Sequence, residues 1–181
     1  MPTVVSKEQY FEAALDVLGE SGFKALNIRA LCQTLGVTSG SFYHYFGSWD
    51  GFVVQLLEWW RDRQWVALRD LAFGSGEALD DMMLIRKLTL ELNHPAEAAI
   101  RAWGANNEAV RLAQASVDDD RYKTVRKTIG ALVDDKQKLD VLSEFGMTML
   151  IGYQQRLASP ECARLEELLD LYFDLVRSPQ R

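Results

Sequence analysis

Cysteine is scarce in this 181-residue chain, and its two thiols, Cys32 and Cys162, make neither a disulfide framework nor a zinc ligand set. Proline occurs four times, at positions 2, 95, 160 and 179, and both interior prolines stand where a helix can begin. Strand signals are missing, since no run of residues alternates with period two. No apolar run approaches the roughly 18 residues that a membrane span needs. Basic charge is in deficit as well: 20 Lys+Arg face 26 Asp+Glu, a formal net charge of −6. That balance excludes a chain whose whole surface coats nucleic acid, yet leaves room for a small DNA-reading patch on an acidic body. The first residues carry neither a basic leader nor a long apolar stretch, so a cytoplasmic protein without membrane association is expected. No nucleophile–base pair, glycine-rich phosphate loop or His/Glu zinc pattern occurs. The sequence therefore does not read as an enzyme, and it asks for no cofactor and no metal.

What is present is helical spacing, throughout a chain that is 48% hydrophobic. The length suits one mid-sized domain or a small module fused to a larger one. A first helix is predicted over 7–19, with Ser6 as N-cap and Gln9 three residues on, a capping-box pattern. Asn27 can cap a short second helix with Ile28, Leu31, Cys32 and Leu35 as its apolar side, and Gly36 supplies the left-handed turn that stops it. Thr38 can cap a very short third helix over 39–45. A long fourth helix follows over 49–71, then a glycine-rich gap over 73–80. The next segment, through Leu92, is apolar on nearly all sides, as a helix at the centre of a bundle would be. His94 and Pro95 open a sixth helix, and three more are predicted over 107–133, 136–157 and, after Ser159 and Pro160, 161–176. The chain reads as all-α with about nine helices: a three-helix head over 1–48 and a larger helical body over 49–181.

Helices two and three are short and joined by Gly36, Val37 and Thr38, which is the geometry of a helix-turn-helix whose second helix enters a DNA major groove. In the third helix Phe42 and Phe46 are four apart and face the core. Ser39, Ser41, Tyr43 and His44 are left pointing outward. Small residues at the helix start let backbone N–H groups approach phosphate. Gly40 fits that reading, because glycine in an exposed helix interior otherwise costs about 1 kcal/mol against alanine. Cys32 stands where the motif wants a small buried residue and reads as packing. His44 has no partner at metal-ligand spacing, and the run Asp118, Asp119 and Asp120 reads as a solvated charge run.

These residues resemble the TetR-type transcriptional regulators. Ala14, Leu18, Gly22, Ile28 and Arg29 carry part of the resemblance. The run 31–46, Leu-Cys-Gln-Thr-Leu-Gly-Val-Thr-Ser-Gly-Ser-Phe-Tyr-His-Tyr-Phe, carries the rest. It is similar to that family's helix-turn-helix signature, and the likeness covers about residues 6–57. By that resemblance Arg29, Thr38, Ser39, Gly40, Ser41, Tyr43 and His44 occupy positions that touch double-stranded operator DNA. Relatives usually begin helix four with a lysine that contacts phosphate; Trp49 stands there in this chain. Residues 1–49 hold three basic side chains, Lys7, Lys24 and Arg29, against four acidic ones, so weak non-specific DNA affinity is expected.

The body offers two further expectations. A mostly apolar small-molecule effector is expected among helices four, five, seven and eight. Large adaptable side chains gather there: Trp60, Met83, Tyr122, Phe145, Met149 and Tyr153, with Trp103 nearby. A homodimer through the last two helices is expected because the stretch 145–153 is apolar almost all round, with Gly146, Thr148 and Gly152 permitting close approach. Leu165, Leu168, Leu169, Tyr172, Phe173 and Val176 continue the excess. Two functions of different class fit these features. One is a ligand-responsive DNA-binding regulator, a repressor released from its operator by the effector. The other is a helical ligand- or protein-binding domain that keeps the helix-turn-helix only as scaffold.

Overall fold

A computed structural model describes residues 5–73, 77–156 and 162–178, with side chains for all of these except 65–73, 162 and 163. Ser159 and Pro160, expected to open the last helix, lie outside the described residues. Those residues form nine α-helices and no strand: α1 (Lys7–Ser21), α2 (Ile28–Leu35), α3 (Ser39–Phe46), α4 (Trp49–Phe73), α5 (Ala78–Leu90), α6 (His94–Gly104), α7 (Glu108–Ile129), α8 (Lys136–Arg156) and α9 (Cys162–Arg177). A short 3₁₀ turn over Phe23–Ala25, which the apolar spacing does not announce, links α1 to α2.

The helix starts follow from side-chain caps. Gln9 N–H donates to Ser6 Oγ at 3.4 Å while Ser6 N–H donates to Gln9 Oε1 at 2.9 Å, completing the capping box. Asn27 Oδ1 accepts from Ala30 N–H, Thr38 Oγ1 from Ser41 N–H, Asn93 Oδ1 from Ala96 N–H and Asn107 Oδ1 from Val110 N–H. Each cap satisfies a backbone donor that the first helical turn cannot. Gly36, at φ +66° and ψ +32°, ends α2 in the left-handed region, and the Val37 N–H closes back on the Cys32 carbonyl at 3.0 Å.

The chain divides into two compact units. The first runs to Arg63 and takes in Asn93–Ala115; the second comprises Gln64–Leu92 and Ser116–Arg181. The first unit thus reaches past the end of α3: it includes the first part of α4, all of α6 and the start of α7. Its centre is aromatic. Tyr10, Phe42 and Phe52 are fully buried, and Phe46 lies 5.0 Å, ring centre to ring centre, from both Phe42 and Phe52. Trp49 stacks on Phe42 with the planes 21° apart. Buried aromatic rings of this kind cost about 3–5 kcal/mol to truncate to alanine, so this cluster fixes how α3 sits on α1 and α4. α6 packs along α1, where Gly19 lies close to Asn93, Pro95 and Ala96.

In the second unit α5 and α8 both pack on α9. One core cluster holds Met82, Ile129, Leu139, Leu142, Tyr172 and Phe173; a smaller one holds Tyr153, Leu165 and Leu169. The Tyr172 hydroxyl donates to the Leu142 carbonyl at 3.1 Å. A Cβ at Gly146 would stand 2.9 Å from the Tyr172 ring, so this glycine serves packing of α8 on α9 inside the protomer.

Candidate nucleic-acid interface and a cavity in the body

α3 is amphipathic in the sense the sequence predicts. Phe42 and Phe46 anchor it inward, while Thr38, Ser39, Gly40, Tyr43 and His44 are exposed and Ser41 is half-buried. The half-burial of Ser41 has a cause: Tyr10, itself buried on α1, donates its hydroxyl to Ser41 Oγ at 3.1 Å. Burial pushes the Tyr10 phenol above its ordinary pKa, the bond to Ser41 opposing this in part. The hydroxyl is therefore held protonated, as a donor, and ties the first turn of α3 to the core of the head.

Arg29 is exposed on the first turn of α2. It shares a shallow groove between α2 and α3 with Gln33, Ser39 and Tyr43. The structure brings Arg29, Ser39 and Tyr43 together there; Thr38, which caps α3, and Gly40, Ser41 and His44 on that helix do not line the groove. Gln33 was not singled out by sequence. Its signal is its spacing: it follows Arg29 by four residues on one face of α2. An exposed glutamine beside an arginine supplies the amide pattern that reads adenine next to the fork that reads guanine. The buried Cys32 forms the floor of this groove, and burial raises its thiol pKa, which keeps it from the thiolate form that redox chemistry needs.

Charge at the head is sparse. Lys7 donates to Gln55 Oε1 at 2.7 Å and lies over the Phe46 ring, while Lys24 and Arg29 are exposed. Trp49, at the start of α4, is half-buried in the aromatic cluster. The first turn of α1 holds the Glu8 carboxyl below its usual range, chiefly through a backbone hydrogen bond and then through Ser6.

Comparison with known proteins bears on this same segment. The family model of bacterial regulatory proteins, tetR family, matches residues 11–56, which span α1 through the start of α4. Over those residues the chain is similar to the tetR family. Among its relatives, the transcriptional repressor KstR2 of Mycobacterium tuberculosis is 29% identical over 124 residues, covering 66% of this chain and 60% of that protein. The chain thus aligns with about three fifths of KstR2. The transcriptional repressor AcnR of Corynebacterium diphtheriae is 25% identical over 185 residues, covering 96% of this chain and 93% of AcnR. A solved transcriptional regulator from Rhodococcus sp. Rha1 shares the fold with a TM-score of 0.77 at 16% identity, over 97% of this chain and all of that one. The nine-helix architecture of the described residues is thus shared with that regulator.

The second unit contains a small cavity of about 70 Å³ among residues of α4, α5, α7 and α8, below the range of small-molecule sites as it stands. Its polar lining is Gln64, Thr89, Arg121 and Thr124; the remainder is apolar. None of the seven residues expected to hold an effector lines it. Trp60 and Trp103 are buried in the first unit. Met83 and Phe145 stand at the surface, 58% and 48% exposed. Met149 and Tyr153 pack into the core around α9, and Tyr122 is half-buried beside Arg126. The reason lies in α8. It is apolar on most sides, so its periodicity does not say that Met147 and Leu150, rather than Met149 and Tyr153, turn to the cavity.

The last helices show a related shift of face. Leu165, Leu169, Tyr172, Phe173 and Val176 are buried in the protomer. The apolar side chains left exposed are Val141 and Phe145 on α8 and Leu171 and Leu175 on α9. Among the described residues no helix is long and apolar enough to cross a membrane, and no group of His, Cys, Asp and Glu could hold a metal ion.

Proposed function

We propose that this chain is a tetR-type, cytoplasmic, dimeric DNA-binding repressor whose head reads an operator and whose body takes a small effector that releases it. One observation carries the reading. The exposed residues of α3 and the Arg29–Gln33 edge of α2 form a compact polar surface on a rigid aromatic core, inside the segment that the family model matches. A rigid support holds base-reading side chains in register, as groove recognition requires. The names of both relatives, each a transcriptional repressor, support repression over activation.

The dimer is supported by the apolar stripes left exposed on the second unit. Val141, Phe145, Thr148 and Gly152 recur along α8 at helical spacing, and Leu171 and Leu175 do so on α9. A two-fold pair presents two heads to successive major grooves. The effector is supported by the largely apolar lining of the cavity in the second unit, which must widen to admit one. Release follows from linkage: a ligand that prefers the state with low DNA affinity must lower operator affinity by its binding difference.

The test is fluorescence anisotropy with labelled duplexes from the DNA upstream of the chain's own gene. The wild type should bind one duplex specifically. Arg29→Ala should cost about 1–3 kcal/mol and relax selectivity at one base pair. Tyr43→Ala should weaken binding with an unchanged helical spectrum. A folded wild-type dimer with no specific duplex would favour the scaffold reading instead, and unchanged affinity in both variants would overturn this assignment of the interface.

A further inference from the structure

One fully buried ring in the aromatic core of the head carries a hydroxyl. Tyr10, on α1, stands edge-on to Phe42 at 5.9 Å, to Phe46 at 5.3 Å and to Tyr45 at 6.0 Å. A phenylalanine would make the same ring contacts without burying a polar group, and a buried hydroxyl costs free energy unless it is hydrogen-bonded. Packing alone therefore does not account for a tyrosine here. Its hydroxyl reaches across to α3, 31 residues on in sequence, and lies 3.1 Å from Ser41 Oγ.

A phenol and a serine hydroxyl each offer one proton, and each can accept. Burial raises the Tyr10 pKa, so the phenol keeps its proton. Among the described residues that proton has one acceptor within hydrogen-bond reach, Ser41 Oγ. Were Ser41 the donor instead, the phenol proton would be left buried and unsatisfied, which is the costlier arrangement. Tyr10 therefore donates, and the Ser41 proton is left to point away from the core. Ser41 is half-buried, so one side of its hydroxyl is open to a partner. Its backbone N–H is already taken by Thr38, at 3.4 Å from Oγ1 and 3.1 Å from the carbonyl oxygen. The one free donor of this residue is thus its hydroxyl, held in place by a buried ring.

We infer that Tyr10 is a positioning residue for operator binding: without touching DNA, it holds the Ser41 hydroxyl as a donor to a backbone phosphate. This rests on the proposed reading of α3 as the DNA-binding helix and adds a residue of α1 to it. Phosphate oxygens only accept, so a fixed donor in the first turn of α3, beside the exposed Gly40, matches them. Accepting from Tyr10 also polarises the serine O–H and strengthens the bond it gives. Ser41 does not line the groove that Arg29, Gln33, Ser39 and Tyr43 share, so it contributes to affinity and not to the choice of base.

The experiment uses the full-length protein and the duplex it binds, read by fluorescence anisotropy, with single phosphates replaced in turn by uncharged methylphosphonates. Tyr10→Phe and Ser41→Ala should each weaken binding to the unmodified duplex by about three- to tenfold. The loss should be equal for the operator and for single-base variants of it, as befits a phosphate contact. At least one methylphosphonate should weaken the wild type by about tenfold and both variants by no more than about twofold. The double variant should bind no more weakly than Ser41→Ala, because both changes remove one contact. A Tyr10→Phe protein that binds like the wild type would overturn the inference and leave the operator reading intact. So would one that binds more weakly yet keeps the wild-type phosphate response and adds in full to Ser41→Ala, since the loss would then come from packing. If Ser41→Ala does not fold, the phosphate response of Tyr10→Phe decides alone. A folded wild type with no specific duplex would overturn the operator reading and this inference together.

Discussion

Gly40 and Gly36 are both glycines of the helix-turn-helix, and their reasons differ. Gly36 has a positive φ, where any L side chain is strained. Gly40 is helical, and a Cβ there would meet nothing closer than Thr38 Oγ1 at 3.6 Å, an ordinary contact. The fold alone therefore favours alanine at 40 by about 1 kcal/mol. A glycine at that exposed place makes sense where another molecule's backbone or phosphate must come close. Gly40→Ala should raise unfolding stability by up to about 1 kcal/mol while lowering operator affinity. Denaturant melts and anisotropy titrations on one preparation check both. A variant that is more stable and binds equally well would remove Gly40 from the contact surface.

At the scale of the helix, starts were legible and faces only in part. Ser6, Asn27 and Thr38 identify their helices because a side-chain oxygen accepting from a first-turn N–H is a local interaction, encoded within four residues. The inward face of α3 was equally legible, since only Phe42 and Phe46 are large and apolar at that spacing. α8 carries no such contrast. Its apolar residues surround the axis, so which of them meet the cavity, α9 or another chain is decided by tertiary packing that no local pattern records. Gly146 illustrates this: it reads as a point of approach for a second chain, yet it receives Tyr172 of the same protomer. The stripe that does remain outward, Val141 with Leu171 on its neighbour, is 61% and 68% exposed. If it is the dimer face, Val141→Glu with Leu171→Glu places two pairs of like charges in an apolar interface. Light scattering at micromolar concentration should then give a monomer mass, against a dimer for the wild type. Operator affinity should fall by about 10²-fold or more as the second head loses its linkage. A double variant that stays dimeric would exclude this face.

For the whole molecule, the packing units cut across the order of helices. The segment Asn93–Ala115 packs with the head's helices although 29 residues of the other unit precede it in sequence, Gln64–Leu92. Periodicity reports that α6 is a helix with one apolar face and is silent on which partner receives it, so a boundary drawn after residue 48 follows the motif and not the packing. Charge, by contrast, is legible from sequence at this scale and has a measurable consequence. The chain carries −6 overall, and the exposed basic side chains of the described head are Lys24 and Arg29, with Lys7 held by Gln55. Trp49 opens α4 with a ring packed on Phe42 and Phe52 and adds no charge there. Two cationic contacts per head, or four per dimer, release few counterions, because the salt dependence of duplex binding scales with about 0.9 per phosphate neutralised. The slope of log affinity against log salt should therefore be no steeper than about −4. Specificity would then rest on hydrogen bonds from α2 and α3 and on backbone N–H groups at the start of α3, which salt weakens little. Titrations of the same duplex from about 50 to 200 mM salt measure this directly. A slope near −8 would mean that basic residues outside the head reach the DNA, and that the acidic balance of residues 1–49 understates the true interface.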